Sequence, residues 1–283
     1  MKRKLLALIL VLGLSLSLAA CSGGASQGGG TAATPAPAGT QTPAQTAADS
    51  DVAYVKEKGA LIVGITDFAP MDYKNDSGEW IGFDADMAKA FAASLGVTAE
   101  FIEINWDSKI MELDTKAIDC VWNGMTLTEE VTTSMQTSIP YCLNGQVVVL
   151  PAGKAEDYAT VESLSSLNFA VENGSAGAAQ LDALGIPYTA KLTQADALLE
   201  VASGASDACV IDLLMAGAMI GEGTSYPDLT YTVQLNSEEY GVGFRKGSDL
   251  ADAFNRFWKD AYDAGGVMET ATAYGVQESV IAQ

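Results

Sequence analysis

Acids, hydroxyls and small residues gather at the ends of short apolar runs in this chain. Thr66-Asp67-Phe68 follows Leu61–Ile65, and Asn123-Gly124-Met125-Thr126 follows Ile118–Trp122. Glu172 and then Asn173-Gly174-Ser175 follow Phe169–Val171, and Asp212 closes Ala208–Ile211. An acid that ends an apolar strand is costly to bury without a partner, so Asp212 reads as a carboxylate that grips something. Ser175 follows Gly174 where a helix starts, and backbone amides there suit an anion. The chain has no histidine. That removes Ser-His and Cys-His nucleophile pairs, histidine metal sites and histidine pH switches. No cofactor or metal is implied. Beyond Cys21 the cysteines are Cys120, Cys142 and Cys209, an odd number that cannot pair fully within one chain. Cys120 and Cys209 lie in apolar strand-like segments and read as small buried hydrophobes.

The elements that must position these residues alternate between strand and helix. Leu61–Ile65, Ala99–Ile104 and Ile118–Trp122 read as strands, with helical spacing at Phe83, Met87, Ala90, Phe91 and Leu95 and a stop at Gly96. Asp107–Leu113 reads as a helix, Thr128 can cap one that opens with Glu129 and Glu130, and Tyr73–Gly78 reads as a polar turn. After a strand at Gln146–Leu150 the cycle restarts. Strands are expected at Phe169–Val171, Ala208–Ile211, Tyr231–Leu235 and Gly241–Phe244. Helices are expected at Gly174–Leu184, Ala195–Ala202, Leu213–Met219 and Leu250–Ala264. This is an α/β chain with mostly parallel sheets, and two such cycles joined by extended strands suggest two lobes with a cleft between them. Ligands in open α/β sheets bind beyond the carboxyl ends of strands, where the polar segments above fall.

The N-terminus is of another kind. Lys2, Arg3 and Lys4 precede an apolar run, Leu5–Ala20, that is short for a membrane span. With Leu18-Ala19-Ala20-Cys21 at its end, residues 1–20 read as an export signal resembling a bacterial lipobox, with Cys21 as the lipidated first residue of the mature chain. Residues 21–50 are rich in Gly, Ala, Ser, Thr, Gln and Pro, a composition that cannot build a core and suits a disordered linker. Past the leader, 12 basic residues stand against 36 acidic ones, a net charge of −24. Such a chain repels nucleic acid, so no nucleic-acid partner is expected.

The strand-end segments, taken in order, carry a resemblance. Gly64-Ile65-Thr66-Asp67 through Ala69-Pro70-Met71, Gly82-Phe83-Asp84-Ala85-Asp86-Met87-Ala88, Gly124-Met125-Thr126-Leu127-Thr128-Glu129-Glu130, Pro140-Tyr141, Asn173-Gly174-Ser175, Asp207-Ala208 with Asp212, and Gly241-Val242-Gly243-Phe244-Arg245-Lys246-Gly247 together resemble the family 3 bacterial extracellular solute-binding proteins, the polar amino acid receptors of ABC importers. The resemblance implies a type II periplasmic-binding-protein-like fold. Its first lobe would be built from 51–143 and a return segment, 241–283, and its second from 144–240. Two hinge strands would cross near 143–147 and 238–242. It further implies a monomer, anchored outside the cytoplasm, that closes on a small ligand and docks on membrane permease subunits.

Carried over by position, the resemblance puts Phe68 and Trp106 against the ligand's side chain, Gly124 and Thr126 at its carboxylate, Ser175 near amides that suit an anion, and Asp212 at its α-ammonium. The family's carboxylate-clamping arginine falls at Val131, and Lys109 is expected to face solvent on its helix. Either amides and hydroxyls hold the carboxylate alone, or the ligand has none. Asp67, Glu172 and Asp212 with Phe68 and Trp106, and only Asn123 neutral, favour a cation through salt bridges and cation–π contact. Two rivals share the fold. One is an enzyme similar to cyclohexadienyl dehydratases, with Glu172 as its acid; the other is a ligand-sensing lipoprotein without a transport role.

Overall fold

The computed structural model describes residues 50–283; the leader, Cys21 and the linker up to residue 49 lie outside the described residues. Helix α1 (Asp51–Lys58) opens the fold, capped by Ser50, whose Oγ accepts from the Ala53 amide at 3.0 Å and donates to Asp249 Oδ2 at 2.5 Å. Strand β1 (Ala60–Ile65) follows, then the short hairpin β2 (Tyr73–Lys74) and β3 (Trp80–Ile81), helix α2 (Phe83–Leu95), β4 (Thr98–Glu103), α3 (Lys109–Asp114), β5 (Cys120–Val121), α4 (Glu129–Ser134) and β6 (Gln136–Thr137). The hairpin replaces the plain turn expected at 73–78. Asn75 Oδ1 accepts from the Ser77 and Glu79 amides and so closes the loop, leaving two residues on each side to pair. Helix α2 ends as its glycine predicts: Gly96 takes φ +80°, and its amide turns back to Ala92 and Ala93.

A short ladder then carries the chain out of this half. Strand β7 (Cys142–Asn144) leads to β8 (Gln146–Pro151), β9 (Phe169–Glu172), α5 (Ala176–Leu184), β10 (Tyr188–Lys191), α6 (Gln194–Ser203), β11 (Ala208–Asp212), α7 (Leu213–Met219), β12 (Leu229–Gln234) and β13 (Glu238–Tyr240). Strand β14 (Gly243–Phe244) and helices α8 (Leu250–Asp263) and α9 (Gly266–Ala273) complete the fold. Two five-stranded sheets result, ordered β4-β1-β5-β14-β6 and β10-β9-β11-β8-β12. Each is the frame of one lobe. In the first, β1 runs parallel to β4 and β5 while β14 returns antiparallel. Strand β1 is buried on both faces except at Ile62, as a parallel strand covered by helices must be. Between the lobes, β7 and β13 pair antiparallel, Glu238 opposite Asn144 and Tyr240 opposite Cys142.

The first lobe's core is aromatic. Trp122 meets Phe254 edge-on at 4.9 Å, and Phe254 stacks on Trp258 one turn further along α8. Arg245, buried beside this core, donates to Asp51 Oδ2 at 3.0 Å and to the Ile118 carbonyl at 2.7 Å, and lies 3.4 Å from Asp119 Oδ1. Arg245 so fastens α1 and the residues leading into β5 to the return segment. The C-terminal residues are pinned to the same lobe: Val280 bridges Cys142, and the Ile281 amide donates to the Tyr141 carbonyl. Cys120, Cys142 and Cys209 are all buried free thiols.

Candidate functional site

A cavity of about 260 Å³ lies between the lobes, at the carboxyl ends of β5, β9 and β11. From the first lobe it is lined by Trp106 and Lys109, by Asn123 to Thr126 just beyond β5, and by Thr128 to Val131 at the start of α4. The second lobe supplies Glu172, Gly174, Ser175, Ala176, Ala179, Gln194 and Asp212. Of the residues expected at a ligand site, Trp106, Asn123, Gly124, Thr126, Glu172, Ser175 and Asp212 therefore come together.

Asp67 and Phe68 do not join them. Phe68 is buried beneath the cavity floor, edge-on to Tyr240 with ring centres 6.4 Å apart. Gly124 packs against it: a Cβ there would overlap the Phe68 ring and lie 3.1 Å from the Tyr240 ring. Gly124 also adopts φ +55°, which disfavours any side chain. Gly124→Ala is expected to lower unfolding stability by roughly 2–4 kcal/mol, a strained φ added to a steric overlap, and a denaturant titration would measure it. Asp67 is exposed on the first lobe. Burial of its carboxyl region raises its pKa, as do the charges of Glu103 and of Asp196 in the second lobe, while Lys74 lowers it.

Much of the floor's hydrogen bonding is spent inside the protein. Asn123 Oδ1 accepts from the Thr66 amide and hydroxyl, and its Nδ2 donates to the Thr66 carbonyl and to Asp72 Oδ2. Asn123 thus splices the ends of β1 and β5, and its amide faces inward. The Gly124 amide donates to Asp84 Oδ2 at 2.7 Å, and the Thr126 hydroxyl to Glu238 Oε1 at 2.9 Å. The donors expected to hold a carboxylate at these two residues are engaged by carboxylates of the protein itself. Ser175 caps α5, its Oγ accepting from the Ala178 amide. Beneath the floor, burial pushes the carboxyls of Asp72 and Asp84 upward, Asp84 to about 7, against the Tyr141 hydroxyl and Gly124 amide that favour its charge.

Asp212 is the most heavily supported group in the cavity. It is 4% exposed. Oδ1 accepts from Asn144 Nδ2, from Gln146 Nε2 at 2.8 Å and from the Tyr240 hydroxyl at 2.8 Å, while Oδ2 accepts from Gln194 Nε2. Gln194 also takes the Asp212 amide proton on its Oε1, so one side chain clamps the residue twice. Burial, and then the charge of Glu238, push the Asp212 carboxyl up to about 7. All its donors are neutral. Glu172 is 2% exposed, with no hydrogen bond to Oε1. Burial and the neighbouring Asp212 raise its pKa well above the usual carboxylate range.

Lys109 departs from expectation. Its side chain is 5% exposed and lines the cavity instead of facing solvent. Nζ donates to the Trp106 carbonyl at 3.3 Å and, across the lobe junction, to the Gly174 carbonyl at 3.0 Å, and it sits 5.1 Å from the Trp106 ring centre. Lys109 is the first residue of α3 and directly follows the 3₁₀ turn at Trp106–Ser108, and its side chain reaches back along that turn toward the other lobe. Gln194, Asn144, Gln146, Glu238 and Tyr240 were also not singled out from sequence. The polar pair Asn144 and Gln146 beside a predicted crossing strand was the signal available for two of them.

Two lobes, a cross-lobe ladder and a small polar cavity at the junction define a two-lobed binding-protein architecture. Residues 61–277 match the bacterial extracellular solute-binding proteins, family 3, and the chain belongs to that family. It is 28% identical to the L-cystine-binding protein TcyJ of Escherichia coli (strain K12) over 205 residues, 71% of this chain and 77% of that protein. It is 30% identical to the arginine-binding extracellular protein ArtP of Bacillus subtilis (strain 168) over 217 residues, 74% and 83% of the two chains. The crystal structure of the P235GK mutant of ArgBP from T. maritima superposes with a TM-score of 0.74 at 32% identity, covering 79% of this chain and 98% of that one. A cyclohexadienyl dehydratase of Pseudomonas aeruginosa is 27% identical over 119 residues, 42% of this chain and 44% of the enzyme.

Proposed function

We propose that this chain is the extracytoplasmic substrate-binding lipoprotein of an ABC importer, anchored by lipid on Cys21, that captures a small polar amino acid or related amine carrying positive charge. The lobes close over the ligand, and the closed form delivers it to membrane permease subunits. The observation that carries this reading is Asp212: a carboxylate at the junction, held only by neutral donors, two of which, Asn144 and Tyr240, belong to the ladder between the lobes. An ammonium that reaches it supplies the missing countercharge. Glu172, Glu129 and Glu130 on the walls extend the same preference to a basic side chain. Two relatives are named for binding arginine and L-cystine, which supports an amino acid as the ligand.

Calorimetry across basic amino acids, their decarboxylated amines, cystine, glutamate and aspartate tests the ligand class. A basic amino acid or amine is expected to bind with a Kd in the micromolar range or below, glutamate and aspartate not at all. Tight binding of the acidic amino acids with no response to cations would overturn it. One observation favours an enzymatic second reading: the buried carboxyl of Glu172, whose Oε1 has no hydrogen bond and whose pKa burial raises, could serve as a proton donor. Turnover of a cyclohexadienyl substrate, lost in Glu172→Gln, would establish that reading; an inert substrate removes it.

A further inference from the structure

Position 131 is a valine, 2% exposed, and forms apolar cavity wall. Lys109 lines the same cavity from α3, and among the described residues lining it Lys109 is the one basic side chain. An ammonium has three donors. Two of them end on the Trp106 and Gly174 carbonyls, which fixes Nζ at the lobe junction. Burial lowers the Lys109 pKa, against the charges of Glu130, Glu172 and Asp107 that favour the ammonium, and its bonded partners are neutral carbonyls. A buried ammonium bonded only to carbonyls is stabilised strongly by an added anion.

We propose that Lys109 holds the α-carboxylate of the ligand through its third donor, and so replaces from α3 the clamp that Val131 cannot make. This rests on the proposed amino acid-binding function and narrows it: the preferred ligand keeps its carboxylate, with Asp212 on the ammonium and Lys109 on the acid. The Gly174 carbonyl on the same ammonium joins the second lobe to that contact, so the carboxylate and the two halves meet at one nitrogen. Lysine is a point charge where arginine is a two-pronged fork, so the contact orients the carboxylate less strictly than the family's arginine would.

The test compares each basic amino acid with its decarboxylated amine, arginine with agmatine and histidine with histamine, by calorimetry on the mature protein. The wild type is expected to prefer the better amino acid over its amine by at least about thirtyfold, the scale of a buried charge-assisted contact. Lys109→Met should lose at least about tenfold more affinity for the amino acid than for the amine, Lys109→Gln should behave alike, and Lys109→Met with Val131→Arg should restore the preference. Thermal unfolding without ligand checks that the variants fold. If both members of a pair weaken equally, or the preference survives in Lys109→Met and Lys109→Gln, Lys109 is only a tie between the lobes and the assignment is wrong. If the wild type binds no amino acid of any kind, the broader reading falls as well, and the two failures are told apart by the wild-type titration alone. A wild type that binds the amines more tightly overturns the Lys109 assignment while leaving a binding protein for cations.

Discussion

Asp212→Asn is expected to weaken ligand binding by at least about a hundredfold, the loss seen when one partner of a buried charge pair is removed. Asparagine keeps an acceptor for Gln146 and Tyr240 but turns an amide NH₂ toward the donating Gln194 Nε2, so a stability measurement is needed to separate the loss of charge from local disruption. Burial raises the carboxyl to about 7, well above the unfolded value of about 4, and this sets a pH dependence. Between those values the folded protein binds the extra proton, so stability of the unliganded protein falls as pH rises from about 4 to about 7. An ammonium ligand needs the ionised carboxylate. Its affinity should therefore climb as pH rises toward 8 and level off above, with Glu172, also raised, adding to the slope. Calorimetry at several pH values would show this climb in the wild type and a shallower one in Asp212→Asn. An affinity that is flat or falls over that range would remove Asp212 from the ammonium site.

Gly174→Ala is the second change with a large expected effect. Gly174 adopts φ +69°, and a Cβ there would lie 2.8 Å from Asp107 Cα and 2.7 Å from Asp107 Oδ1, across the junction from the first lobe. Backbone cannot swing aside as a long side chain can. A methyl group would hold the halves apart and pull the Gly174 carbonyl from Lys109. Affinity is expected to fall by about tenfold or more, while unliganded stability drops by only about 1–2 kcal/mol, the cost of alanine in a left-handed conformation. Small-angle scattering with saturating ligand would find the variant more expanded than the wild type. Equal compaction in both would show that this approach of two backbones does not define the closed form.

These tests also mark how far the sequence could be read. Period and punctuation located the frame, because β1 is a continuous apolar run and α2 carries its apolar stripe up to Gly96. Asp212 was legible for the same reason: a charge at the end of a buried strand stands out against its neighbours. Lys109 was not, since spacing along α3 cannot report that the helix begins at the lobe junction, where a first-turn side chain meets a carbonyl 65 residues further on. Phe68 is ambiguous in the sequence for a related reason. A ring two positions past a strand end can turn up to a ligand or down to a core, and Gly124, which lies over it, decides the direction only in three dimensions. Gln194 and Glu238 act through partners 18 and 94 residues distant, at Asp212 and Asn144, which no local pattern encodes.

The way the chain is threaded has a bearing on its synthesis. The β10-β9-β11-β8-β12 sheet comes from one continuous stretch, whereas β5 finds its neighbour β14 only after that whole stretch has been made. During vectorial emergence the inserted half can mature first, while its host waits with Trp122 and Phe91 lacking Phe254 and Trp258. A nascent chain truncated before α8 would therefore present a finished module joined to an adhesive, unfinished one, and that interval is when a chaperone would be needed most.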